Sequence, residues 1–431
     1  MKPTELVSFV TLSLLASRSF AFSSQSHDQS VFSADNGAAA EMDHKAYVEG
    51  LLAFHDHDPV AAMKVVDPVY GAMLDEPRLL EVFGQPRQWM TEGDKLRLKQ
   101  EGLSFIDLTN FEVFEVDSAV AKEVKSWPDI HKQTKVNEAI SLLNVDNLRK
   151  NLETLTSFYN RFYRSEYGVK SSRWIFDQVL EIVANAPPST RLSVETFPHS
   201  FPQSSIIARF EPAGGRASSS SHQDVLPRII IGAHQDSANY KFPMLPAPGA
   251  DDDGSGTVTI LEAFRTLVEA GFKPAAPVEF HWYAAEEGGL LGSQEVVKEY
   301  VALGKKVGAM VQFDMTGYVK PGTTPTVTLI TTDVHPSLTN WTLSLAEEYC
   351  DSVVQGAKLF PGAGSDHMSW HRAGFAATAA TEAEPFKDLN PYIHTADDRL
   401  DLEDGSFSFE HALEFSKLAV GFAVELGGWM D

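Results

Sequence analysis

The chain has 431 residues, 43% of them apolar, and its 59 acidic and 35 basic side chains give a formal charge of -24. That apolar share supports a packed core and excludes a disordered chain, while the length suits one large domain with an accessory segment, or two ordinary domains. The acidity leaves no broad basic surface and excludes nucleic acid as the partner.

The chain opens with MKPTELVSFVTLSLLASRSFAFSSQ, in which one lysine precedes the apolar run Leu6 to Ala16 and small residues follow. This is the pattern of a secretory signal peptide over 1–21, cut near Ala21; the alternatives are a buried helix or a short membrane anchor. No later stretch has the ~20 unbroken apolar residues of a membrane span, so the expected mature protein is soluble and extracellular, with no membrane partner. Residues 22 to about 130 are polar with short helical patterns, and EGDKLRLKQEGLSFIDLTNFE reads as a helix and a short strand. Within this segment FHDHD sets His55, Asp56, His57 and Asp58 together. The four are a possible metal handle, although such alternation is more commonly a solvated surface.

From about residue 133 the character changes. NVDNLRKNLETLTSFYNRFY carries Leu148, Leu152, Leu155, Phe158 and Tyr159 as a helical stripe, with Asp146 as its expected N-cap. SSRWIFDQVLEIVANA is a second helix. Then follow SSIIARF, a Gly/Ser/Pro-rich loop, PRIIIGAH, a helix over about Thr257 to Ala270, PVEFHWYAA, a helix from about Ser293, GAMVQFDM, TVTLITT, a helix near 337–349, FAATAATE and a last helix from Phe409. This alternation predicts an α/β domain whose mostly parallel sheet is covered by helices on both faces. Cys350 is the single cysteine, so no intramolecular disulfide forms. Asn340-Trp341-Thr342 is a glycosylation sequon, used or unused.

In such sheets ligands bind beyond the carboxyl ends of the strands. The residues expected there are His234 and Asp236 after PRIIIGAH, Asp251, Asp252 and Asp253 in PGADDDGSG, Glu286 and Glu287 after PVEFHWYAA, Asp314 after AMVQF, and His394 in NPYIHTADD. Each has an ordinary reading by itself: a helix start, a surface histidine, a calcium loop, a cap. Acids and imidazoles at one strand end after another point to a shared site. Mixed imidazole and carboxylate ligands suit zinc better than calcium, and one carboxylate can bridge two ions.

In order, HQD, PGADDDGSG, AAEEGGLLGSQ, FDMTGY, SDHMSWHRAGF and NPYIHTADD resemble the secreted di-zinc leucine aminopeptidases of metallopeptidase family M28, over roughly 133–431. QPRQWMTEGDKLRLKQEGLSFIDLT resembles, more weakly, the propeptide of the fungal members. The resemblance implies a zinc-exopeptidase fold with an N-terminal α+β propeptide. It implies two Zn2+ per chain: His234 and Asp314 on one, Glu287 and His394 on the other, Asp252 between them. Glu286 becomes the general base for metal-hydroxide attack, and Asp236 orients His234. Three carboxylate charges from Asp252, Asp314 and Glu287 meet four from two zinc ions, and a hydroxide completes neutrality. The substrate implied is a peptide or protein N-terminus, Leu-like or apolar, which Met315, Phe386 and Ile393 would line; Glu382, near them, could alter the preference. Asp251, Asp253, Asp366 and His367 are expected to be structural or to support the ligands, and Asp397 and Asp398 to form a turn or a cap. Bacterial relatives carry a disulfide loop and an oxyanion tyrosine before SDH; FPGAGSDH has neither.

The expected domains are therefore 1–21 signal peptide, 22–130 propeptide or accessory segment, and 131–431 catalytic domain, in a monomer. A glutaminyl cyclase-like acyltransferase with one zinc, a carboxypeptidase and a non-catalytic ectodomain on the same scaffold are the alternatives. A serine hydrolase lacks its G-x-S-x-G elbow, and the H-E-x-x-H zinc helix is absent.

Overall fold

A computed structural model describes residues 34–111, 126–213, 226–360, 362–402 and 405–430. The expected signal peptide and most of the Gly/Ser-rich loop lie outside them.

The N-terminal segment holds α1 (Ala34–Phe54), α2 (Pro59–Val66), α3 (Pro68–Gly71), β1 (Pro77–Val82), β2 (Gln88–Thr91), α4 (Glu92–Gln100) and β3 (Phe105–Asp107). Its three strands form an antiparallel sheet ordered β2-β1-β3. A capping box starts α4: the Thr91 hydroxyl accepts from the Asp94 amide, and the Asp94 carboxylate accepts from the Thr91 amide. FHDHD forms a tight turn in which Asp56 and His57 take φ of 53° and 63°, and the Asp58 carboxylate caps α2.

The remainder is built from α5 (Gln133–Ile140), α6 (Val145–Thr156), α7 (Glu166–Ala184), β4 (Leu192–Phe197), β5 (Ser205–Phe210), β6 (Arg228–His234), α8 (Gly254–Glu269), β7 (Val278–Tyr283), α9 (Leu291–Ala302), β8 (Val307–Phe313), β9 (Thr326–Ile330), α10 (Pro336–Tyr349), β10 (Val353–Ala357), α11 (His367–Arg372), β11 (Ala377–Thr381) and α12 (Phe409–Gly427). An eight-stranded sheet runs β10-β9-β11-β8-β6-β7-β5-β4. The pairs β10–β9, β11–β8, β8–β6 and β6–β7 are parallel. The mostly parallel α/β fold expected from the sequence is the one observed, with antiparallel pairing where β9 meets β11 and at the β5 and β4 edge.

The central strands are apolar throughout because both faces are covered. Ile229, Ile231 and Ala233 of β6, Phe280 and Trp282 of β7, and Val311 and Phe313 of β8 pack with α6, α8 and α12. Ile230, Tyr283 and Met310 point the other way, onto Val297 and Tyr300 of α9 and Trp370 of α11. Ile106, Leu108 and Phe111 of the N-terminal segment join this second cluster, so the segment is packed into the body. The N-cap of α6 is Asn144, whose side chain accepts from the Asp146 amide; Phe158 and Tyr159 lie beyond its end. Asn340 is exposed on α10, while Thr342 is buried. The Cys350 thiol donates to the Glu414 carbonyl oxygen at 3.3 Å. Among the described residues no helix is long and apolar enough to cross a membrane.

A buried ion cluster ties the segment together. Glu92 meets Lys95 at 3.1 Å and Arg78, accepts from the Tyr70 hydroxyl at 2.9 Å, and Lys95 also pairs with Asp107. Burial opposes its ionisation, but Lys95, Arg164 and Arg78 outweigh burial and hold Glu92 at about 2. A carboxyl held below its ordinary 4.5 contributes stability that is complete above that value and lost as pH falls toward 2. Hydrogen exchange of residues 92–107 is therefore expected to accelerate between those pH values. Glu92→Gln should destabilise the segment by about 3–5 kcal/mol at neutral pH, because Lys95 keeps only Asp107 as its buried counter-charge and Arg78 loses its nearest carboxylate. Unchanged exchange in the variant would overturn this assignment.

Candidate metal centre

Strands β8, β6 and β7 lie side by side and parallel, with His234 opposite Tyr283 and Gly232 opposite Gln312, so their carboxyl ends share one edge. His234 closes β6, Asp314 directly follows β8, and Glu286 and Glu287 follow β7. Between strand and acid, or just after it, the chain turns through left-handed residues: Ala285 at φ 56° and Met315 at φ 61°. Such conformations are uncommon for residues with a Cβ and are kept where the surroundings demand them. His394, at φ 59°, arrives from the loop between β11 and α12, and Asp252 from the loop before α8.

These five side chains converge as two triads with Asp252 in both. His234, Asp252 and Asp314 offer ligand atoms within 4.8 Å of one another, as do Asp252, Glu287 and His394. The two oxygens of Asp252 are divided: Oδ1 is 3.1 Å from His234 Nε2 and Oδ2 is 2.8 Å from His394 Nε2. His234 Nε2 is 3.8 Å from Asp314 Oδ2, and His394 Nε2 is 3.4 Å from Glu287 Oε1. Glu287 Oε1 is buried without a hydrogen-bond partner among the described residues. Two buried acids and a half-buried one converging on two imidazoles, one acid with an orphaned oxygen, fit a pair of small divalent cations. Burial opposes a charge on Asp252, but His394 and His234 outweigh it and hold its carboxyl well below the usual range.

The outer aspartates of the triplet do different work. Asp253 caps α8 through the Gly256 amide and accepts from the Met315 amide at 3.1 Å and the His234 amide at 3.1 Å, joining β6, β8 and α8. Asp251 accepts from the amides of Gly317 and Tyr318 and from the Asn390 side chain. Asp398 accepts from the amides of Asp251 and Asp252 at 3.0 Å each, so it holds the triplet's backbone, beyond the turn or cap role the sequence suggested. Glu382 accepts from the amides of Tyr318 and Asn390 behind this network. Arg161 gives no sequence signal, yet it is fully buried and donates to the carbonyls of Gln235, Pro248 and Gly249, clamping the two loops together. Gly249 takes φ 52°, and a Cβ there would fall 2.6 Å from the Asp252 carbonyl oxygen; at Gly256 it would fall 2.5 Å from that of Phe313.

The matching family model is that of peptidase family M28, over residues 215–413. The chain is 41% identical over 367 residues to leucine aminopeptidase 1 of Trichoderma harzianum, covering 82% of this chain and 88% of that one. It is 40% identical over 388 residues to leucine aminopeptidase 1 of Coccidioides posadasii, covering 85% and 95%. The chain belongs to peptidase family M28. It is thereby placed among hydrolases acting on peptide bonds. Among solved structures, the LapA aminopeptidase of Legionella pneumophila superposes with a TM-score of 0.68 at 30% identity, covering 82% of this chain and 94% of that one.

In this M28 chain a cavity of about 130 Å³ opens beside the triads, with Glu286, Met315 and Ile393 in its wall. Burial foremost, with the charges of Glu287, Asp366 and Asp314, pushes the Glu286 carboxyl up against the opposing pull of His234. Asp236 is 3.4 Å from His234 Nδ1, long for the expected hydrogen bond, and spends its two oxygens on the amides of Glu286 and Glu287. Phe386 departs from expectation: it is 59% exposed, lies outside the cavity wall, and packs its ring edge-on against Phe360, which is in the wall. The amides of Lys387 and Asp388 both donate to the Glu384 carbonyl oxygen, and the turn they close leaves the Phe386 side chain on the surface. In the FPGAGSDH stretch, Ser365 and His367 line the cavity, and neither the Ser365 hydroxyl nor either His367 ring nitrogen has a hydrogen-bond partner among the described residues. Burial lowers the His367 imidazole to about 3, which keeps it neutral. His55 and His57 belong to neither triad. Two neighbours of the site escaped sequence reasoning altogether: Tyr240, stacked on His394, and Lys99 of the N-terminal segment.

Proposed function

We propose that this chain is a secreted, zinc-dependent aminopeptidase that releases Leu-like or apolar N-terminal residues from peptides. The observation that carries the reading is the division of Asp252 between two triads, the arrangement a two-ion hydrolase requires. His234, Asp314 and Asp252 would hold one zinc; Glu287, His394 and Asp252 the other. Bound zinc supplies Lewis acidity at the scissile carbonyl and a lowered pKa for the attacking water. Glu286, whose carboxylate faces the cavity, would accept a proton from the attacking water and return it to the leaving amine. Asp236, bonded to the Glu286 amide, fixes the turn that aims this carboxylate into the cavity. Met315 and Ile393 exclude water and favour an apolar first side chain. The enzyme acts as a monomer, leaves the cell through residues 1–21, and can carry a glycan on the exposed Asn340.

A panel of aminoacyl-anilides, assayed with and without a chelator, tests the reading. Leucyl and other apolar anilides should be cleaved, chelation should abolish cleavage, and zinc should restore it, with two ions per chain by elemental analysis. Cleavage that survives complete removal of metal would refute it. Residues 22–130 act as a propeptide covering the site of the 131–431 catalytic domain. Proteolytic removal of that segment should raise activity on leucyl-anilide; equal activity before and after removal would make it a permanent accessory domain.

A further inference from the structure

The metal reading leaves a half-buried cation beside the site unexplained. Lys99, in the last turn of α4, sends its ammonium out of the N-terminal segment and into the site. Its Nζ is 2.7 Å from Glu287 Oε2 and 3.0 Å from the Tyr240 hydroxyl, and it lies 4.2 Å from the centroid of the Tyr240 ring. That ring is parallel to the His394 imidazole, 3.7 Å away. Glu287 is thus used from two sides: Oε1 faces His394 and the triad, while Oε2 faces outward onto an ammonium.

We propose that Glu287 Oε2 with the hydroxyl and ring face of Tyr240 forms the seat for the α-ammonium of a peptide substrate, and that Lys99 fills this seat with its own ammonium while the segment is docked. The inference rests on the aminopeptidase reading and deepens it. A primary ammonium brings three donors and a full charge, which a carboxylate, a phenol oxygen and an aromatic face together satisfy. An internal peptide nitrogen is an uncharged amide and satisfies none of the three in the same way, so the seat selects chain ends. Lys99 is held there from both sides. The Asp107 amide donates to the Gly289 carbonyl oxygen, two residues after Glu287, at 3.1 Å; the Gln100 side chain donates to the Lys241 carbonyl oxygen, one residue after Tyr240, at 3.0 Å. Gly289 permits this approach, since a Cβ there would fall 2.8 Å from the Asp107 nitrogen. Tyr240 is a positioning residue and Lys99 an internal competitor.

The test uses the full-length chain stripped of metal, with n-pentylammonium as the probe, a primary ammonium that has no carbonyl to cleave. Calorimetry should give at least about tenfold tighter binding to Lys99→Met than to the wild type or Lys99→Arg, and adding Tyr240→Phe to Lys99→Met should remove most of the gain. Lys99→Gln repeats the measurement should the methionine variant not fold. With zinc restored, Lys99→Met should lower KM for leucyl-anilide by a similar factor and leave kcat unchanged. Equal binding of pentylammonium by folded wild type and folded variant overturns the proposal, as does a gain that Tyr240→Phe does not touch. The two readings fail separately: absence of anilide cleavage by the zinc-loaded, segment-free protein would sink the aminopeptidase assignment, whereas the ammonium titration needs neither metal nor turnover.

Discussion

Glu286→Gln is expected to lower kcat on leucyl-anilide by about 10²–10⁴-fold, the usual worth of a positioned proton acceptor, with zinc content unchanged. Glutamine keeps the size and the backbone, so the hydrogen bonds donated by the amides of residues 286 and 287 to Asp236 persist and the turn stays aimed. What is lost is a carboxylate at the cavity wall, close enough to Glu287, Asp366 and Asp314 for their charges to raise its proton affinity. A raised carboxyl is better matched to taking a proton near neutrality than an ordinary one. Because Glu286 belongs to neither triad, metal binding should not follow activity down. Parallel loss of zinc and of rate would make Glu286 a ligand and leave the base unidentified.

Asp252→Ala should have the opposite signature: both ions are lost together, and activity with them. Its two oxygens serve different imidazoles, at 3.1 Å and 2.8 Å, so one substitution dismantles both triads. The loop itself should survive, since the Asp252 amide still donates to Asp398 and Asp253 still caps α8. Elemental analysis of the purified variant, beside a melting curve, separates loss of metal from loss of fold. Asp397→Ala, at an exposed position three residues from His394, is the control and should shift stability by no more than about 0.5 kcal/mol. A variant at Asp252 that retained one tightly held ion would mean that the triads do not depend on a shared carboxylate.

Much of the catalytic half was legible in advance because its signals are local. Runs such as RIIIGAH and VEFHWY can only be strands buried on two faces, and their ends place His234, Glu286, Glu287 and Asp314 at one edge once the strands are parallel. Small errors arose where neighbouring residues share a chemistry: Asn144 and Asp146 can each cap a helix, and the backbone chose the first. Periodicity also says little about a strand half exposed at the sheet edge, which is why β4 and β10 went unread.

Residue types and spacing by themselves determined the layered α/β body, the order of its elements and the acids and imidazoles offered at the strand ends. The tertiary structure alone decided how three adjacent aspartates divide their labour. That division depends on Gly317, Asn390 and Asp398, far along the chain, which take up Asp251 and the triplet backbone and leave the Asp252 side chain free to face two histidines. It also turned Phe386 outward and brought Lys99 across 188 positions to Glu287. The reason is physical: turn and strand preferences act between near neighbours, whereas the partner of a buried charge is chosen by the packing of elements that meet only in the folded chain.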